Sequence, residues 1–391
     1  MTFESTKAGS RWVTRIIPLF LAAAVGYATY VTVARVCVDF LIHDQSQNGS
    51  AVAVLVLYFL FMLLMVATYL RTIITINTDP GLVPLGSLAV SRRNSREASD
   101  KARRADDLEG QPYGGMAPDD NPDSPGLEQF YTKDVFICET DGRPKWCSEC
   151  CNWKPDRAHH SSELNRSFKF FVQFTTYTAC YCGIVLGAAG STLKKKISSG
   201  DGVDGFLVGA LGLGGFFGLF TFMMTITSLR YVLLNMTNVD LLGNRTKVYQ
   251  LAVRIPRGSP GTDSYHVINY PLPRPDTSYS ATQQANGTGI TNRVNSPSLG
   301  REARDELAHR TFAILRTEAS ENPWDLGYWE NWKEVMGTNI IDWLFPIRRS
   351  PCVKHELNES FYRMGNIVNV VRERHGLTPV PTDGQDGFEM R

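Results

Sequence analysis

The sequence predicts an all-α membrane protein: four transmembrane helices, with a small cysteine-rich domain in the loop between the second and third. Three observations lead there. Four long apolar runs stand apart from polar stretches, although the mean hydropathy of the chain is slightly negative. Three of the eight cysteines crowd into positions 147 to 151 instead of spreading like a disulfide framework, which favours metal or thiol chemistry in a reducing compartment. The long polar stretches hold few apolar residues. A net charge of +1 over 391 residues leaves no dominant basic face, so nucleic acid is not an expected partner.

Taken in order, Lys7, Arg11 and Arg15 precede the first run, Ile16 to Val33, which Arg35 closes. The second, Ala51 to Leu70, has no charged residue; the third runs from Phe170 to Gly190 and the fourth from Gly205 to Leu229. At about 1.5 Å rise per residue, roughly twenty residues cross a hydrocarbon core about 30 Å thick. Helices satisfy their own backbone there, which lipid cannot do. Uncharged runs this long are foreign to soluble cores, and the first lacks the polar cleavage region of a secretory signal peptide.

Basic residues near the span ends give the orientation. Arg71, Arg92, Arg93 and Arg96 follow the second run, and Arg230, Arg245 and Lys247 follow the fourth, whereas 43–50 has no Lys or Arg. Both termini and the central loop are therefore expected in the cytosol. Arg35 and the trio Lys194, Lys195 and Lys196 fall on the opposite side and count against this orientation. The expected organisation is a cytosolic N-terminus (1–15), helices one and two (16–76), a cytosolic linker (77–128), a cysteine-rich domain (129–169), helices three and four (170–229), and a cytosolic tail (230–391), partly disordered.

Within these regions, Ser91 to Pro125 reads as flexible linker, with too few apolar residues for a core. From Gln129 onward aromatic and polar residues alternate around an Asp141-Gly142 turn, the pattern of short strands about a knuckle. Pro256 to Gly300 is low-complexity sequence expected to be disordered. Glu302 to Thr317 has helical spacing, with Leu307, Phe312 and Leu315 on one face. Thr338 to Pro346, "TNIIDWLFP", is short and apolar and fits a segment lying along a membrane interface.

Cys147-x-x-Cys150 places two thiolates on one tight turn, a common half-site for structural zinc, and His160 offers a nitrogen ten residues on. A tetrahedral site needs a fourth ligand, for which Cys138, Cys151 and His159 all stand nearby. Thioredoxin-type redox chemistry would need a βαβ setting, which this region lacks.

"CSEC" followed by "KPDRAHH" resembles the start of the cysteine-rich domain of DHHC-type protein S-palmitoyltransferases, in particular fungal ones. Cys147, Cys150, Lys154, Pro155, Arg157 and His160 match that pattern position by position. Asp79-Pro80-Gly81 after the second span resembles the family's DPG motif, and Thr237-Asn238-Val239-Asp240 after the fourth a degraded TTxE motif. Asn322 to Gly337 resembles its C-terminal Asn-Pro-aromatic segment. The resemblance implies structural zinc, palmitoyl-CoA as acyl donor, membrane-associated substrate proteins with cytosolic cysteines, and residence in the endomembrane system or plasma membrane. It also implies a two-step transfer through a cysteine in an Asp-His-His-Cys tetrad, activated because an adjacent histidine draws off the thiol proton.

That tetrad is not in the chain. "HHSSELNR" meets "SFKFF" directly, near end to far end of the family pattern, and no Asp-His-x-Cys occurs in the 391 residues. Ser161 and Leu164 stand where the family places further zinc-ligating cysteines. No catalytic residue is therefore assigned, and the gap between Arg166 and Ser167 reads as a skipped segment or as a genuine inactive homologue. Cys138 and Cys151 lack an Asp-His partner in sequence. The leading expectation is an S-palmitoyltransferase recorded without its nucleophile. A non-catalytic membrane scaffold with a partial metal knuckle is the alternative, and a transporter would need charged or broken midplane residues.

Overall fold

The computed structural model describes residues 4–78, 90, 127–148, 151–154, 156–157, 167–237, 240, 246–270, 309–352 and 362–378. They fall into two compact units. One comprises the described parts of 1–80, 164–233 and 332–351, and the other those of 81–163, 234–331 and 352–391.

The first unit contains four helices long and apolar enough to cross a membrane. α1, Glu4–Tyr30, runs on as a wider π-helical stretch, Val31–Asp44. It is followed by α2 (Asn48–Thr78), α3 (Phe168–Ser198) and α4 (Gly205–Leu233). The first helix passes Arg35 without breaking because that charge is answered. Its guanidinium lies 3.6 Å from Asp39 and over the Phe206 ring at 4.9 Å. On the same side, Lys196 pairs with Asp204 at 3.6 Å.

Small residues let α3 and α4 approach closely, as is usual between membrane helices. A methyl on Gly214 would lie 3.3 Å from Leu186, and one on Gly218 3.1 Å from the Cys182 Cβ. Hydroxyls tie the remaining helices. Thr29 Oγ1, Tyr58 Oη and Tyr181 Oη form a hydrogen-bonded chain with two links of 2.7 Å, and Tyr27 Oη donates to the Phe206 carbonyl at 2.9 Å.

Two short helices complete this unit. The latter part of α5 (Tyr328–Met336) buries Val335 and Met336 with Val172 and Val232, while α6 (Ile340–Leu344) is capped by the Asn339 side chain, which accepts from the Ile341 N–H. Gln173 Nε2 donates to the carbonyls of Asp342, Trp343 and Phe345 at 3.1, 2.9 and 3.4 Å. Tyr177 Oη donates to the Leu344 carbonyl.

The second unit corrects the all-α expectation. It is built on an antiparallel sheet of order β1-β4-β6-β5, comprising β1 (Val135–Cys138), β4 (Gln250–Ile255), β5 (His266–Tyr270) and β6 (Arg310–Arg316). The hairpin of β2 (Trp146–Cys147) and β3 (Asn152–Trp153) lies apart from it in sequence order. Alternation explains the sheet. Ile137, Leu251, Val253, Ala313 and Leu315 pack on one face with Trp324, Val368 and Val371, the last two from α7 (Ile367–Arg374). Phe136, Ala252, Phe312 and Ile314 pack in a separate core with Leu127, Phe130 and Tyr270.

The helix expected up to Thr317 is thus a central strand from Arg310 onward. Phe312 and Leu315, three apart and on one side of a helix, fall in opposite cores of a strand with period two. β5 likewise lies inside the segment expected to be disordered. The Asp141-Gly142 turn is present, with Gly142 at φ +81 and its carbonyl accepting from Tyr270 Oη. The linker at 91–125, the Asp79-Pro80-Gly81 motif, residues 271–300 of the low-complexity segment, Cys150, His159 and His160 lie outside the described residues.

Candidate functional site

The first unit contains a half-open apolar cavity of about 400 Å³, in the range of ligand pockets. All four long helices line it, among them through Ala28 of α1, Tyr69 of α2, Phe174 and Cys182 of α3, and Phe217 of α4. Its α3 wall runs from Phe174 to Val185, three helical turns at about 3.6 residues each. Tyr181, the last member of the hydroxyl chain, lines the wall, so the chain braces the cavity as well as the helices. No ionisable Asp, Glu, Lys, Arg or His lines it. Such a wall accepts a hydrocarbon and offers a charged group nothing.

The second unit brings together residues that the sequence shows only as separate motifs. Arg157 of the cassette has a left-handed backbone, φ +61. Its Nη1 donates to Asn235 Oδ1 at 2.7 Å and its Nη2 to the Asn235 carbonyl at 2.8 Å. The guanidinium stacks on the rings of Trp324 and Tyr362, at 4.8 and 4.5 Å. Asn235 Nδ2 in turn donates to the Trp324 carbonyl, and Asn322 Nδ2 donates to the carbonyls of Leu234 and Asn235 at 3.0 and 3.1 Å. The Asn322-Pro323-Trp324 segment is thereby fixed to the start of the tail.

Thr237 and Asp240 cap one another. Thr237 Oγ1 donates to Asp240 Oδ2 at 2.7 Å and accepts from the Asp240 N–H at 3.1 Å, the reciprocal arrangement of a capping box. Asp240 also accepts from Lys247 Nζ at 2.5 Å and from Tyr249 Oη at 3.2 Å, and lies 3.6 Å from Arg157 Nε. Burial pushes its carboxyl up, but Lys247, Arg157 and Thr237 outweigh that and hold it down at about 2. Asp156, next to Arg157, accepts from the Ile137 N–H at 3.1 Å; burial raises its pKa.

Of the three expected zinc ligands, Cys147 is described: it is buried at the end of β2, opposite Asn152, where the chain reverses. Cys150 and His160 lie outside the described residues. Cys151 has φ +47 and its Sγ donates to the Ser148 carbonyl at 3.4 Å. Cys138 is buried on β1, and burial with Asp141 and Glu139 pushes its thiol up to about 12, so it stays protonated and is a poor nucleophile at neutral pH. Among the described residues no cluster of three His, Cys, Asp or Glu side chains forms a metal site. Sequence reasoning missed Asn235, Lys247, Tyr249 and Tyr362. Only their folding around Arg157 and Asp240, from positions 5 to more than 200 residues away, gives them a role.

No family model matches the chain. It is 34% identical to palmitoyltransferase pfa5 of Aspergillus fumigatus, over 93% of this chain and 90% of that protein. It is 33% identical to palmitoyltransferase pfa5 of Emericella nidulans, over 93% and 86%. Palmitoyltransferase ZDHHC20 of Homo sapiens is 25% identical over 42% of the chain and 45% of that protein. The alignment with the Aspergillus relative extends over 418 positions, more than the 391 residues of the chain. Four membrane-length helices and relatives of this similarity define a multi-pass membrane protein of the palmitoyltransferase class. The chain belongs to the DHHC-type palmitoyltransferase family, in its fungal branch.

Proposed function

We propose that the chain is the frame of a protein S-palmitoyltransferase without its nucleophile block. The complete enzyme takes a fatty acyl group from palmitoyl-CoA onto a cysteine sulfur, releasing the CoA thiol, and passes it to a cysteine of a membrane-associated substrate protein. The observation that carries this reading is the apolar cavity between the four long helices, which suits an acyl chain at roughly 0.8 kcal/mol per buried CH₂. The missing block between Arg166 and Ser167 is supported by the joined motif ends. Cys138, a buried thiol with a raised pKa, is no substitute.

Zinc is the metal this reading requires, with Cys147, Cys150 and His160 as ligands. A buried thiol at the end of a β-hairpin is a suitable donor, and bound zinc would hold the cassette rigid. Cys147→Ser is expected to lower the zinc content of the purified protein, measured by elemental analysis. The termini and the second unit are placed in the cytosol. The basic residues that follow the second and fourth runs support this.

Sequencing the transcript across the codons of Arg166 and Ser167 tests the central claim. An inserted segment encoding Asp-His-His-Cys is expected, and restoring it should give an acyl-enzyme detected by hydroxylamine-sensitive acyl exchange. One uninterrupted exon, with no thioester on the chain as written, favours a non-catalytic membrane scaffold. A thioester on the chain as written would place the nucleophile among its eight cysteines and sink the missing-block reading.

A further inference from the structure

β4 leaves the sheet where β6 enters it. Ile255 pairs with Thr311 at the end of that ladder, and Pro256, which has no N–H to give, closes the strand. The chain then turns through Gly258 at φ +74, with Ser259 Oγ donating to the Pro256 carbonyl at 2.9 Å. The antiparallel register thus sets Arg254 and Arg257, at the exit of β4, beside His309 and Arg310, at the entry of β6. These four residues line a half-open cavity of about 430 Å³, and none of the described residues lining it is Asp or Glu.

Two guanidiniums converge there on one neutral atom. Arg257 Nε and Arg310 Nη1 both donate to the His309 carbonyl, at 3.0 and 3.3 Å. A carbonyl holds them close without cancelling either charge. Arg254 reaches Asp134 at 3.0 Å, but the two side chains are 44% and 72% exposed, and an exposed pair of this kind holds weakly against a better anion. A fourth guanidinium supports the site from within. Arg372, 6% exposed, donates through Nη1 to the Arg254 carbonyl at 3.4 Å and through Nε to the Thr378 carbonyl at 2.8 Å.

The surroundings favour an anion carried by a protein over one carried by a bilayer. From 234 to 327 no large apolar side chain is exposed among the described residues, so nothing here beds into lipid. β5 pairs with β6 alone among the described strands, and its Tyr270 lies in register with Arg310. The outer edge of β5 therefore offers backbone N–H and C=O groups to an extended segment running towards the arginines. We propose that Arg254, Arg257 and Arg310 form a binding site for a phosphoserine or phosphothreonine on an extended segment of a partner protein. A phosphomonoester brings close to two negative charges and three acceptor oxygens, which match the paired N–H groups of guanidiniums. The site belongs to the sheet unit and uses no part of the helical cavity, so it holds whether or not the chain transfers an acyl group.

The full chain, purified in detergent, is titrated by fluorescence anisotropy with a short fluorescein-labelled peptide of alternating threonine and valine that carries a central phosphoserine. The same peptide with serine is titrated in parallel. The phosphopeptide is expected to bind about tenfold tighter or more, and added salt to weaken it selectively. Arg257→Gln, at an exposed position outside the strands, is expected to weaken phosphopeptide binding roughly fivefold and to leave the serine peptide unaffected. Arg310→Gln is expected to do the same, and Arg257→Gln keeps the test readable if that substitution disturbs β6. Equal binding of the two peptides by the native chain, or native affinity in Arg257→Gln, overturns the proposal. So does displacement of the phosphopeptide by inorganic phosphate or inositol 1,4-bisphosphate at lower concentration than unlabelled phosphopeptide, which would assign the site to a free anion or a lipid headgroup.

Discussion

Asp240 is surrounded by Thr237, Lys247, Tyr249 and Arg157, and its carboxyl is held at about 2 against an ordinary value of 3.8. A carboxyl whose folded pKa is depressed adds stability that is fully present above its unfolded value and disappears as pH falls through the folded one. The window is therefore pH 4 down to 2. At about 1.4 kcal/mol per pKa unit, Asp240 contributes on the order of 2 kcal/mol at neutral pH. Asp240→Asn is expected to lower the unfolding midpoint at pH 7, followed by tryptophan fluorescence, and to match the native chain near pH 2. A native-like midpoint at pH 7 would show that the ion pairs contribute nothing net. At this scale the sequence was half legible. Thr237 and Asp240 stood out as a motif remnant and Arg157 as part of the cassette, but nothing in their spacing shows that they share an ion pair across 83 positions.

The long helices were legible from composition, since uncharged runs of twenty residues admit one structure in a bilayer. Their packing was not. In "GALGLGGFFG", Gly214 and Gly218 look like two glycines among many, yet a methyl on either would lie 3.3 Å from Leu186 or 3.1 Å from Cys182 of α3. Gly218→Leu is expected to destabilise the bundle by about 1–3 kcal/mol through overpacking, read as a lower melting temperature in detergent. Substituting Gly212, which has open space around it, should change little. The segment "TNIIDWLFP" reads as interfacial because it is short and apolar, but what anchors it is a glutamine inside an apolar run. Gln173→Leu removes the donor to three carbonyls and is expected to cost about 1–3 kcal/mol locally, seen as faster hydrogen exchange over Trp343 to Ile347. β6 was misread because an apolar run buried on both faces has no clear period.

For the whole molecule, the two units differ in what their sequences could reveal. The membrane unit follows from four runs of residues, each of which determines its own helix. The sheet unit draws β1 from one side of the membrane helices in sequence and β4, β5 and β6 from the other, so no single stretch carries the pattern. Folding of that unit therefore waits until the chain beyond α4 exists. On the proposed orientation, protease added to sealed vesicles bearing the cytosolic face outward is expected to remove an epitope fused after Arg391. Full protection would reverse the orientation.

The hollow between the four helices has one further consequence. Protein interiors do not keep large dry spaces open without cost, and water finds no partner on a wall of this kind. A neighbouring lipid tail would occupy the room, so any other acyl chain must evict a tenant before it can settle. Preparations stripped too thoroughly of lipid would then sag, and adding back a plain fatty acid should firm them up.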